Sequence, residues 1–138
     1  MNGRGVHEAM VEPTTLRAVH DRAGARFSEV AGLALPRNYG DPAAEYRAVR
    51  SAAGVVERGD RVPVRVWGRD PVRMMQGLLT ADVEGAAEGE GRYAALLTPK
   101  GKMIAEMRVV RRPGGELLMD LDRRALDGAL AHLEKFVP

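Results

Sequence analysis

Three short stretches carry side chains that could do chemistry. Gln76–Gly77 with Thr80 and Asp82 gathers an amide, a hydroxyl and a carboxylate after an apolar run, an arrangement that suits a polar ligand or a capped helix and turn equally well. Tyr93, one of three tyrosines, lies in a strand-like segment where it could offer a flat ring to a ligand or pack at the rim of a core. In Thr98-Pro-Lys-Gly-Lys-Met103, Lys100 and Lys102 would set two cations beside an anion, although a solvated cationic hairpin is the commoner use of such a stretch.

Other chemistries lack their parts. His7, His20 and His132 are far apart, and His7–Glu8 lacks the second histidine of a zinc-protease helix. Gly101–Lys102 is followed by Met103 rather than the Ser or Thr of a phosphate-binding loop. The acids of Glu88-Gly-Glu-Gly-Arg92 would repel phosphate. Ser28 and Ser51 have no histidine nearby in sequence. Asp120 and Asp122 share one side of a strand, but Asp122 reads more simply as a helix cap. The residues thus specify no catalytic nucleophile and no metal site.

The elements that must position these residues follow from punctuation and periodicity. Residues 1–13 lack apolar periodicity and read as a flexible tail, leaving 14–138 as one domain. A helix is expected after Thr14–Thr15, with Leu16, Val19, His20 and Ala23 on one face and Gly24 as its stop. Two short strands flank Ala31–Gly32. Asp41–Pro42 opens a helix whose stripe is Tyr46, Val49 and Ala53. Val62, Val64 and Val66 alternate as in a half-buried strand, and Pro63 favours an edge or a strand-start position there. Asp70–Pro71 repeats the helix entry, and an acidic, Gly-rich loop from Glu84 to Gly91 follows. Three strands, at about 92–98, 102–111 and 116–121, are separated by turns at 98–101 and 112–115. Asp122 then caps a helix bearing Leu126, Leu130, Leu133 and Val137. The order from residue 61 is β-α-β-β-β-α, which predicts an α+β fold with helices on one face of a mainly antiparallel sheet. A further strand after Pro138 would complete such a sheet, so the domain is expected to be truncated, with an open edge that favours self-association.

Composition sets the class. The 138 residues include 21 basic and 19 acidic side chains, a net charge of +2, with 45% hydrophobic and 29% charged residues, ordinary for a globular domain. The absence of cysteine excludes disulfides, thiolate metal sites and cysteine nucleophiles. No apolar run approaches the roughly 18 residues of a membrane helix, and a cytoplasmic location is expected. The basic residues are interleaved with acids and lack aromatic partners, which argues against nucleic-acid binding.

Taken together, the segments resemble a known family. Gly24-Ala-Arg, Leu35-Pro with Tyr39-Gly40, Glu45 with Ala48-Val49-Arg50, and Ala53-Gly54 are similar to the N-terminal stretch of the glycine-cleavage T-protein. Gln76-Gly77-Leu-Leu-Thr80-Ala-Asp82-Val83 and Lys100-Gly-Lys-Met103 with Arg108 are more similar to the YgfZ branch of that family. The match runs from about Leu16 to the last residue, and covers only the N-terminal part of such proteins.

This resemblance implies a ferredoxin-like, folate-binding α+β domain that takes tetrahydrofolate or a one-carbon derivative. The function it implies is YgfZ-like, in iron–sulfur cluster assembly or repair. The alternative is a folate-dependent aminomethyltransferase of the glycine-cleavage type, in which an aminomethyl group on a lipoyl carrier protein yields methylene-tetrahydrofolate and ammonia. Partners implied are the folate, and either a lipoyl carrier or iron–sulfur assembly proteins. Tyr93 falls where the family has a tyrosine near the folate ring. Glu106 could accept pterin N–H bonds, and Lys100, Lys102 and Arg108 could meet the glutamate tail. Two departures stand out. Ala105–Glu106 replaces an acidic pair, and Gly59-Asp60-Arg61 replaces Ser-His-Met.

Overall fold

The structure, a computed structural model, describes residues 11–136, and the chain divides after Asp60 into two units. Residues 1–10 of the expected tail, and Val137 of the expected last helix, lie outside the described residues.

In the first unit, β1 (Glu12–Pro13) and α1 (Arg17–Arg22) precede a hairpin of β2 (Arg26–Val30) and β3 (Leu33–Asn38). The two residues between these strands, Ala31 and Gly32, both have positive φ (53° and 79°), the twist that suits a two-residue hairpin loop. Glu12 and Pro13 pair in parallel with Leu33 and Ala34, so the sheet order is β1-β3-β2. Leu33 and Leu35 are its buried apolar side chains, and a Cβ on Gly59 would meet Leu35 at 3.0 Å.

So small an apolar core is supplemented by polar bonds. Buried His20 places Nε2 at 2.6 Å from Glu57 Oε2 and Nδ1 at 2.8 Å from the Tyr39 hydroxyl, while Thr14 donates to the other oxygen of Glu57. With Glu57 accepting from Nε2–H, Nδ1 is left to accept from Tyr39. The α1 face therefore turns inward on His20, whereas Leu16 and Val19 are exposed. Helix α2 (Pro42–Ser51) is capped by Asp41, whose side chain accepts from the amides of Ala43 and Ala44. None of its residues is buried, and Tyr46 and Val49 of the apolar stripe face solvent.

The second unit follows the expected order. Strand β4 (Arg61–Val66), α3 (Pro71–Gln76), β5 (Gly91–Leu97), β6 (Met103–Arg111), β7 (Leu117–Asp122) and α4 (Leu126–Leu133) build an entirely antiparallel sheet of order β4-β7-β6-β5. Pro63, which has no N–H to donate, indeed sits in an edge strand. Asp70 caps α3 through the Arg73 amide, and Asp122 caps a 3-10 turn that leads into α4. Alternation gives the sheet two unlike faces. Ala94, Leu96, Ala105, Met107, Val109, Leu117, Met119 and Leu121 pack against Val72 and Met75 of α3 and Ala129 and Leu133 of α4. The opposite face carries Arg61, Tyr93, Glu106, Arg108 and Asp120.

This contrast between units is measurable. Met107→Ala, which empties a fully buried position, should cost about 2–5 kcal/mol of stability. Tyr46→Ala on α2 should cost less than about 0.5 kcal/mol. Urea unfolding of both variants checks this, and equal losses would contradict the assignment of the core.

Candidate functional site

The polar sheet face is built by register. Pairing Arg61 with Asp122, Pro63 with Asp120, Asp120 with Arg108, and Arg108 with Tyr93 brings residues remote in sequence into a single row of strands. Arg61, in β4, reaches over β7: its Nη1 donates to Glu106 Oε1 at 2.5 Å and its Nε to Asp120 Oδ1 at 3.1 Å. Its Nη2 donates to the Asp120 carbonyl at 2.5 Å. From β5, the Tyr93 hydroxyl donates to Glu106 Oε2. One hydrogen-bonded chain thus crosses all four strands, with the Arg61 side chain largely shielded at 14% exposure.

Electrostatics follow from these bonds. The hydrogen bond from Tyr93, and then that from Arg61, hold the Glu106 carboxyl below the usual range, so it is ionised at neutral pH. The same bond to Glu106 pushes the Tyr93 phenol up and keeps it a neutral donor. The Tyr93 residue is 68% exposed, so its ring remains available to a flat ligand. Glu106 and Asp122 also line a hollow of about 300 Å3 with Met103, Ile104 and Arg124. The Asp122 carboxyl is lowered to about 2, first by the Arg124 side chain and further by that residue's amide. The arrangement can offer a ring for stacking, an ionised acceptor and adjacent cations.

Of the five residues singled out from sequence, the structure gathers Tyr93, Glu106 and Arg108 on this face. Lys100 and Lys102 sit on the β5–β6 turn, where Thr98 N donates to Lys102 O at 2.8 Å and Gly101 takes φ +78°. Lys102 is about 13 Å along the strand from Glu106. Sequence reasoning missed Arg61 and Asp120 as members. The available signal was the odd-position Arg61 opposite the valine stripe, but its partner strand is 59 residues away. The Gln76, Thr80 and Asp82 cluster proves structural. Gln76 Oε1 accepts from the Val83 and Glu84 amides, Thr80 Oγ1 from Ala95 and Asp82 from Gly85.

The two departures noted in the sequence are physically joined. Ala105 faces the core and Glu106 faces outward, because adjacent strand positions point to opposite faces. Arg61, standing at the second departure, clamps that single outward acid. Among the described residues no group of three His, Cys, Asp or Glu side chains could hold a metal ion, and no helix is long and apolar enough to cross a membrane.

Comparison with known proteins adds four findings. The GCVT N-terminal domain family matches residues 16–138. An aminomethyltransferase of Cutibacterium acnes is 30% identical over 122 residues, covering 88% of this chain and 33% of the relative. A probable aminomethyltransferase of Halobacterium salinarum is 37% identical over 98 residues, 71% of this chain and 27% of the relative. The chain thus spans about a third of the length of such relatives. The crystal structure of glycine cleavage system aminomethyltransferase T from Bartonella henselae superposes with a TM-score of 0.76 at 19% identity, covering 91% of this chain and 35% of that one, a likeness of fold.

The lowered carboxyls set an acid limit. A depressed folded pKa contributes stability that is complete above the unfolded value of about 4 and is lost as pH falls through the folded value. For Asp122 that loss centres at about 2. Asp122→Asn keeps a capping oxygen but should flatten the decline of the urea midpoint between about pH 4 and 2. An unchanged slope would refute the assignment.

Proposed function

Since the chain belongs to the GCVT N-terminal domain family, we propose that it supplies part of the tetrahydrofolate site of a glycine-cleavage-type aminomethyltransferase. The observation that carries this reading is the exposed Tyr93 ring tied to an ionised Glu106 on the solvent-facing side of the sheet. The donor set fits a reduced folate in its chemistry. A flat pterin can lie against Tyr93, its N–H edge can find a carboxylate acceptor at Glu106, and its anionic glutamate tail can meet Arg108 towards one end of the strand or Lys100 and Lys102 at the other. Each Glu106 oxygen has one lone pair engaged, by Arg61 or Tyr93, and another left to accept. The folate supplies the amine that takes up the one-carbon unit. The residues here orient it and hold a carboxylate ionised beside it.

In this reading the one-carbon unit arrives on a lipoyl carrier protein, which is the proposed partner. The aminomethyltransferase names of the relatives favour it over a role in iron–sulfur assembly. A chain without cysteine could not ligate a cluster by thiolate in any case.

Calorimetric titration of the 138-residue chain with tetrahydrofolate and 5-formyl-tetrahydrofolate tests the proposal. Saturable one-to-one binding is expected, weakened about tenfold by Tyr93→Ala, equivalent to about 1.4 kcal/mol. Glu106→Gln should weaken it by a similar factor. No saturable binding by a folded chain, or variants indistinguishable from the parent, would sink it.

A further inference from the structure

On the helix-bearing side of the sheet, a polar hollow of about 400 Å3 lies among Arg69, Arg73, Arg111, Gly114 and Gly115, with Asp70 and Glu84 also on its wall. None of these residues belongs to the Tyr93–Glu106 face. Three arginines thus line one hollow, Arg69 and Arg73 of them exposed, and an anion there would be attracted by all three. The counter-charge on hand is incomplete. The Asp70 carboxylate is engaged in capping α3 through the Arg73 amide, and Glu84 makes no side-chain hydrogen bond among the described residues.

Arg111 is held most firmly. Its Nη1 donates to the carbonyls of Glu84 and Ala86, both at 2.9 Å, so its guanidinium is fixed by neutral acceptors rather than by a carboxylate. Its Nε is buried with no acceptor among the described residues. Arg69 and Arg73 make no side-chain hydrogen bond or ion pair among the described residues. Of the described residues, six other arginines, Arg61 and Arg65 among them, meet a carboxylate and others such as Arg47 and Arg108 do not; what sets Arg69 and Arg73 apart is their place beside Arg111 on one hollow. Gly114 and Gly115 leave their part of the wall without side chains, so a ligand can approach the backbone there.

We propose that this hollow is a binding site for an oxyanion of phosphate or carboxylate type, held by Arg69, Arg73 and Arg111. Guanidinium forks match both oxyanions through paired N–H bonds. The site is independent of the folate reading and stands or falls without it.

The protein contains its own reporter. Trp67, the sole tryptophan, directly precedes Gly68 of the hollow's wall. Tryptophan fluorescence, with thermal unfolding as a second measure, would follow titrations with inorganic pyrophosphate and with citrate at fixed ionic strength. Saturable binding of either is expected, with a raised unfolding midpoint, and the two anions distinguish phosphoryl from carboxylate recognition. Arg69→Gln and Arg73→Gln should each weaken it at least about fivefold. Glu84→Gln, which removes a repelling charge, should tighten it at least about twofold. Arg47→Gln, on exposed α2, should leave it unchanged. No saturable binding of either anion by the folded parent, or equal weakening by Arg47→Gln, would overturn the site, as would a Glu84→Gln variant that binds no more tightly.

Discussion

On the outward face of the larger sheet, a single guanidinium spans from the edge strand across β7 to a carboxylate on β6. Neighbouring strands lie about 4.8 Å apart, so only a long side chain held straight can make that reach. Arg61 meets the condition because its three donor nitrogens are fixed at both ends, two on Asp120 and one on Glu106. Much else rests on this bridge. Together with the larger effect of the Tyr93 hydrogen bond it holds the Glu106 carboxyl low, and Glu106 in turn fixes the Tyr93 hydroxyl while its ring stays open to solvent. Removing the arginine would take away the cation that Glu106 and Asp120 share.

The bridge also gives a physical account of how this chain differs from the T-protein pattern. An adjacent pair of acids in a strand places one on each face, and here the inward position is alanine in a close-packed core. A carboxylate there would need a partner that Leu96, Met107 and Met119 cannot supply. The outward acid, Glu106, is bound by Arg61. Arg61 and Glu106, 45 residues apart in sequence, belong to one hydrogen-bonded unit.

Local signals were legible where they depended on local physics. The Asp–Pro steps at 41 and 70 opened helices because the carboxylate accepts orphan amides, and the valine alternation at 62, 64 and 66 described a strand with one buried side. Periodicity alone could not say what covers a face: the Tyr46 and Val49 stripe is regular yet exposed, whereas α1 buries a histidine and leaves Leu16 and Val19 outside. Tyr93 could be singled out from its type and its place in a strand, and Glu106 only through the family resemblance. Arg61 and Asp120 could not, since their membership depends on the register of β4 against β7, which no local pattern encodes.

That register carries a kinetic consequence. Strands β5, β6 and β7 follow one another through short turns, so their pairing closes small loops. The β4–β7 ladder joins Arg61 to Asp122 and must gather the entire intervening chain, a larger entropic step for a strand that contributes few buried side chains. The meander is therefore the favoured nucleus, and β4 docks on a surface already formed. Since Arg61 arrives only with that strand, the polar face of this sheet is complete only once β4 has docked.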